Sequence, residues 1–261
     1  MAKIKPVGVK INGKDKKVPA HYLYEGGTEG TYVQARLLID ALGIGSVHGE
    51  GDHINIVTSG QATAPAPVPA PKPLAGRRIA ISAPHTKNAN RSTIIKSYYE
   101  GNVMFDVAVE LKKLLEAEGA KVLQVRTKLE QQLTLKQRTD QINAWRPDVM
   151  VEIHSDAYSG SRGVYAIRQI ARKNDQLAQL LVDELVKATG LPIHPRKVWT
   201  RALPGNARFD YYHMLRECLY HAVLVECGDH TNAKDMEFLA SSGAAKKIAQ
   251  GAKNAIMEYF K

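Results

Sequence analysis

Val149-Met150-Val151-Glu152-Ile153-His154 is the stretch on which the fold turns. It follows Pro147-Asp148 and ends on an imidazole. A short, mostly apolar run bounded by turn residues fits a strand buried on both faces, as in parallel sheets. Two other runs share the form. Ile79-Ala80-Ile81-Ser82-Ala83 precedes His85, and Ala222-Val223-Leu224-Val225 ends on Glu226. Strand patterns also cover 121–126 and 163–168, while apolar residues recur at helical spacing over 102–119, 133–145, 174–190, 235–239 and 244–260. Strand alternating with helix predicts an α/β domain with a mixed, largely parallel sheet flanked by helices.

Upstream of this pattern, residues 61–75 read Gln-Ala-Thr-Ala-Pro-Ala-Pro-Val-Pro-Ala-Pro-Lys-Pro-Leu-Ala. Alternating Ala and Pro forms no packed core and favours an extended spacer. The expected organisation is a small α+β domain over residues 1–60, a linker over 61–76 and the α/β domain over 77–261. In the first, Val7-Gly8-Val9-Lys10-Ile11 alternates as a strand and Asn12-Gly13-Lys14 is a turn. The extended pattern resumes at Lys17-Val18, a helical pattern runs from Tyr32 to Leu42, and a hairpin is expected over 46–48 and 53–57. His21, His48 and His53 read as scattered surface histidines.

The chain has 261 residues and a net charge of +10. Residues 77–261 carry 28 basic and 20 acidic side chains, whereas 1–59 carry seven and six. A positive field favours polyanionic surroundings, whether nucleic acid, anionic membrane or a phosphate-rich wall. No recognition helix, zinc finger or aromatic-basic motif supports nucleic acid. No run approaches the roughly 20 apolar residues of a transmembrane segment. The first residues, Met1-Ala2-Lys3-Ile4-Lys5-Pro6, are basic without the apolar core of a signal peptide. The expectation is synthesis in the cytoplasm and action after release. Cys218 and Cys227 make no disulfide framework and read as buried, unpaired thiols.

His85, His154 and Glu226 stand at or just beyond the ends of apolar runs, and Glu100 stands just before the helical pattern that starts near Asn102. Open α/β sheets place ligand sites at the carboxyl ends of their strands. Two imidazoles and two carboxylates gathered there would suit zinc-dependent hydrolysis. A catalytic zinc takes three protein ligands and keeps one position open. Glu152 and Asp156 flank His154, with Glu152 expected to point away from the face His154 uses. His194, His213, His221 and His230 compete as ligands on spacing alone.

Ordered motifs across 77–261 resemble the zinc-dependent N-acetylmuramoyl-L-alanine amidases of phage endolysins and bacterial autolysins. They are Ala83-Pro84-His85-Thr86-Lys87, Glu100-Gly101-Asn102-Val103, Gly119 to Thr127, Arg138, Asn143, and Glu152-Ile153-His154-Ser155-Asp156. Gly163-Val164-Tyr165 and the stretch from Leu224 through Glu226 and Gly228 to Asn232 and Asp235 complete the set. Pro84 and Thr86 stand where the family has glycines, Glu152 replaces Ser, and Asp156 replaces Asn. The resemblance implies one catalytic zinc ion held by His85, Glu100 and His154, with Glu226 as the catalytic carboxylate. It implies a bacteriolytic peptidoglycan hydrolase cutting between N-acetylmuramic acid and L-alanine, while the basic charge of 77–261 suits a wall carrying phosphate-rich teichoic acids as anionic partners. A zinc peptidase cutting stem peptides and a non-catalytic wall-binding protein are the alternatives. Residues 1–59 resemble the stalk-type domain named after the N-terminal region of copper amine oxidases. Asn12-Gly13-Lys14, Tyr32-Val33-Gln34-Ala35-Arg36, Leu42-Gly43 and Ile54-Asn55-Ile56 carry that likeness. It implies a targeting or spacer role.

Overall fold

The computed structural model describes residues 8–11, 14–17, 46–50, 53–57, 72–158, 160–172 and 175–261. The chain divides into two units, Met1–Ala70 and Pro71–Lys261. In the first, β1 (Gly8–Ile11) pairs antiparallel with β2 (Lys14–Lys17), and β3 (Ser46–Glu50) pairs antiparallel with β4 (His53–Val57). β1 and β4 lie parallel, which joins the hairpins into one sheet of order β2-β1-β4-β3. The helix expected over 32–42 and the linker residues 61–71 lie outside the described residues.

The second unit is built on six strands. They are β5 (Arg78–Ser82), β6 (Lys121–Gln124), β7 (Val149–Asp156), β8 (Val164–Arg168), β9 (Ile193–Trp199) and β12 (His221–Asp229). Their order is β6-β5-β7-β12-β8-β9. Every neighbouring pair is parallel except β12 with β8, so the sheet is mixed and largely parallel. A small antiparallel pair, β10 (Ala202–Leu203) and β11 (Asn206–Asp210), follows β9.

Side chains alternate across a strand, so the central strands feed two cores. Val149, Val151, Ile153, Val223 and Val225 face one cluster, which they share with α1 (Glu100–Ala117), α3 (Gln176–Thr189) and α6 (Ala244–Tyr259). Met150, Ala222, Leu224 and Ile167 face the other, with Ile142 of α2 (Leu135–Trp145) and Met214 of α4 (His213–Glu217). Along α1 the buried residues Met104, Val107, Ala108, Leu111 and Leu115 keep the three-and-four spacing of one apolar stripe. Thr134 caps α2: it accepts from the Gln137 backbone N–H, and the Gln137 side chain reaches back.

Element ends differ from the sequence reading. β7 runs three residues past Ile153 and β12 four past Val225, so His154 and Glu226 lie within strands. α1 starts on Glu100 itself. Leu74, placed in the linker by its Ala/Pro surroundings, is fully buried in the first core and its N–H donates to the Glu118 carbonyl (3.0 Å). The last short helix, α5 (Ala233–Leu239), is capped by Asn232, and its buried Asp235 accepts from Gly163 N (2.6 Å), Asp229 N (3.0 Å) and Arg162 Nε (3.2 Å). No helix among the described residues is long and apolar enough to cross a membrane.

Candidate metal centre

β5 delivers His85 on the loop that follows it, α1 opens with Glu100, and β7 carries His154. One ligand atom from each lies within 4.8 Å of the others, so the three could hold a metal ion. No other such trio of His, Cys, Asp or Glu forms among the described residues. Glu226 is the register partner of His154 on the neighbouring parallel strand. Both side chains therefore leave the same face of the sheet.

Glu100 is buried and fully engaged. It accepts from Asn90 Nδ2 (2.7 Å) and from the Ser155 backbone N–H (3.1 Å), and faces His154 Nδ1 (3.1 Å) and His85 Nε2 (3.5 Å). Burial alone pushes its carboxyl up. The hydrogen bond and charge of His154, then His85 and Asn90, outweigh that and hold it at about 2. Burial pushes His154 down, but Glu100, Glu152 and Glu226 lift it well above its usual value. Burial lowers His85, against the pull of Glu100. Glu226 is pushed well up, first by burial and then by Glu100, Asp156 and Glu152, with His154 opposing. Among the described residues its Oε2 is buried with no hydrogen-bond partner. A buried carboxylate oxygen left unpaired is costly, and a nearby cation relieves that cost. The donor set, two imidazoles and a carboxylate with an acidic group to spare, fits zinc chemistry.

The loop carrying His85 is locked to α1. Tyr99 offers no side-chain cap; the Glu100 and Gly101 N–H groups instead donate to the carbonyls of Asn90 (3.0 Å) and Ala89 (3.2 Å). Asn88 and Asn90 adopt left-handed backbone (φ 60° and 55°), and the Asn88 N–H donates to Asn102 Oδ1 (2.8 Å). Thr86 crosses the helix so closely that a Cβ on Gly101 would stand 1.9 Å from the Thr86 carbonyl oxygen. From the other side buried Arg126 donates to the carbonyls of Ala83 (2.8 Å), Leu129 (2.9 Å) and His85. This helix-tethered loop takes the place of the glycines expected around the first imidazole.

Glu152 does not turn away from His154. Residues two apart on a strand share a face, and Glu152 Oε2 lies 3.8 Å from His154 Nε2. Its Oε1 accepts from Ser82 Oγ (3.4 Å) and pairs with Arg138 Nη1 (3.5 Å), all three residues being buried. The sequence reading missed this layer because it misjudged one strand alternation. The competing histidines go elsewhere. His230 bonds Ser155, His213 faces Thr139, His221 faces Tyr259, and His194 packs on Tyr165. Cys218 and Cys227 are buried and free.

Known proteins share this arrangement of elements. The family model described as N-acetylmuramoyl-L-alanine amidase matches residues 79–258. Over 195 residues the chain is 29% identical to the probable cell wall amidase LytH of Staphylococcus epidermidis, covering 72% of this chain and 60% of that protein. Over 164 residues it is 28% identical to the N-acetylmuramoyl-L-alanine amidase CwlM of Bacillus licheniformis, covering 62% and 60%. The chain thus spans less than two thirds of either relative. The solved catalytic domain of CwlV, an N-acetylmuramoyl-L-alanine amidase from Bacillus (Paenibacillus) polymyxa, superposes with a TM-score of 0.60 at 25% identity, covering 70% of this chain and 97% of that one. Cwp6 from Clostridium difficile shares the fold with a TM-score of 0.65 at 24% identity, over 72% of this chain and 30% of its own. With the family model covering most of its length, the chain belongs to the N-acetylmuramoyl-L-alanine amidase family.

Proposed function

We propose that this protein is a zinc-dependent peptidoglycan hydrolase that cuts the amide between N-acetylmuramic acid and the L-alanine of the stem peptide. One observation carries the reading: three metal-type donors meet within 4.8 Å beside the unpartnered Glu226 oxygen. Family membership supplies the substrate class.

His85, Glu100 and His154 would hold the ion. When bound, zinc supplies a Lewis acid that polarises a carbonyl and acidifies water toward a pKa of about 7. Glu226 Oε2 takes the proton from the attacking water and returns it to the leaving nitrogen. Glu152, anchored by Arg138 and Ser82, faces His154 Nε2 and so favours the tautomer that leaves Nδ1 free as a ligand atom. Asn90 holds the Glu100 carboxylate in place.

Mass spectrometry of purified peptidoglycan after digestion, with and without a zinc chelator, tests the reading. Chelator-sensitive release of peptides that begin with free L-alanine is the expected result. Peptides beginning with another residue would mean a stem-peptide peptidase, and an undigested wall would leave a binding protein.

The excess of basic over acidic side chains in residues 77–261 supports an affinity for anionic wall polymers such as teichoic acids. Co-sedimentation with walls is expected to weaken as salt rises from about 0.05 to 0.5 M, as screening shortens the reach of exposed charge. Wall binding indifferent to ionic strength would count against that affinity.

A further inference from the structure

A cleft of about 440 Å³ opens next to the proposed centre, with Asp156, Tyr165, His194, Arg196, Trp199 and Arg201 in its lining. Two of its lining residues adjoin the proposed catalytic residues along the sheet. Asp156 lies two residues after His154 on β7, and Tyr165 is the register partner of Glu226 on β8. The Tyr165 hydroxyl donates to Asp156 Oδ2 (2.7 Å). The far wall comes from β9 and the turn into β10.

The arginines of that wall stack on rings, as Arg77, Arg78, Arg91 and Arg126 do elsewhere, and do not belong to the smaller set held by carboxylates. Arg162, Arg168 and Arg216 each pair with a carboxylate. Among the described residues, no carboxylate lies within ion-pair distance of Arg196 or Arg201. Both are instead stacked on rings: Arg196 lies 4.3 Å from the Trp199 ring centroid and Arg201 lies 3.9 Å from that of Tyr211. Arg201 Nη1 also donates to the Tyr212 hydroxyl (3.3 Å). Stacking fixes the guanidinium plane, and the N–H groups other than the one Arg201 gives to Tyr212 are left to meet a carboxylate. Ordering the fork in advance lowers the entropy lost on binding.

We propose that this cleft holds the peptide arm of the substrate, and that Arg196 and Arg201 clamp a free carboxylate on it. This rests on the amidase reading. The amide-linked sugar carries no charge, so the peptide is the arm that offers an anion. Strand spacing sets the reach. β9 lies two strands from β12, roughly 10 Å at about 4.8 Å per strand, which an extended peptide covers in about three residues. The clamp therefore reads a carboxylate near the third residue from the bond that is cut. Asp156, at the end nearest Glu226, receives the new ammonium group that cleavage leaves on the peptide.

The test compares an N-acetylmuramoyl tripeptide bearing a free C-terminal carboxylate with its C-terminal amide. The free acid is expected to show at least a tenfold higher kcat/KM, expressed in KM. The Arg196→Gln/Arg201→Gln double variant is expected to bring the ratio to about one, with an unchanged circular dichroism spectrum. Equal use of both substrates by the unaltered protein would overturn the clamp, as would a preference that survives in the double variant. A double variant that loses only inorganic phosphate binding would also overturn it, and would assign the arginines to wall phosphates. Calorimetric binding of the free tripeptide and its amide to Glu226→Gln protein reads the clamp without turnover. If neither substrate is cut, the amidase reading fails, and this binding preference still decides the clamp.

Discussion

Glu226→Gln is expected to keep its metal and lose at least about a thousandfold in turnover, within the range by which a positioned acid–base group accelerates a reaction. The substitution preserves shape, so Val225 and Cys227, both fully buried, keep their packing. It removes the one carboxylate at the centre whose Oε2 has no partner. A carboxylate at this position can accept a proton in a way an amide cannot. His85, Glu100 and His154 are untouched, so zinc content by atomic absorption should match the unaltered protein. A variant within tenfold of normal activity would remove Glu226 from the mechanism. A variant that lost its zinc would make Glu226 a ligand.

Gly101→Ala is expected to damage the centre without touching any donor. The added methyl would sit 1.9 Å from the Thr86 carbonyl oxygen and 3.1 Å from that of His85, both backbone atoms that cannot swing aside. The loop must lift off the helix. That breaks the hydrogen bonds from the Glu100 and Gly101 N–H groups to the Asn90 and Ala89 carbonyls. Overpacking of this kind costs about 1–3 kcal/mol, and the displaced His85 should weaken zinc binding by at least tenfold. Urea unfolding and competition with a chromophoric chelator measure the two effects. Gly243→Ala is the control, since a Cβ there meets nothing within 4 Å. Equal behaviour of the two variants would mean that the loop is not held by α1.

The fold was legible because its strands are buried on both faces. The runs at 79–83, 149–153 and 222–225 carry little but apolar side chains, and such runs have few other uses. Strand ends were harder to place, since Glu226, Cys227 and Asp229 are buried by neighbours remote in sequence. The four candidate residues stood out because each lies at the edge of a run, where charge next to burial needs a reason. Arg126 and Asn90 did not stand out, because their roles rest on carbonyls and carboxylates that only the fold brings near. The sequence reading assigned no element to residues 193–210. Strands β9, β10 and β11 are short or largely exposed, and they carry the cleft wall.

The donors are spread far along the chain, with Glu100 and His154 separated by 54 positions and meeting at 3.1 Å. An unfolded chain has no means of presenting them together, so an ion that they bind is a ligand of the native state alone. Mass action then makes free zinc a thermodynamic partner in folding. Each tenfold rise in its concentration above Kd adds about 1.4 kcal/mol to stability. Metal supply would thus set how long the enzyme survives as well as how fast it works.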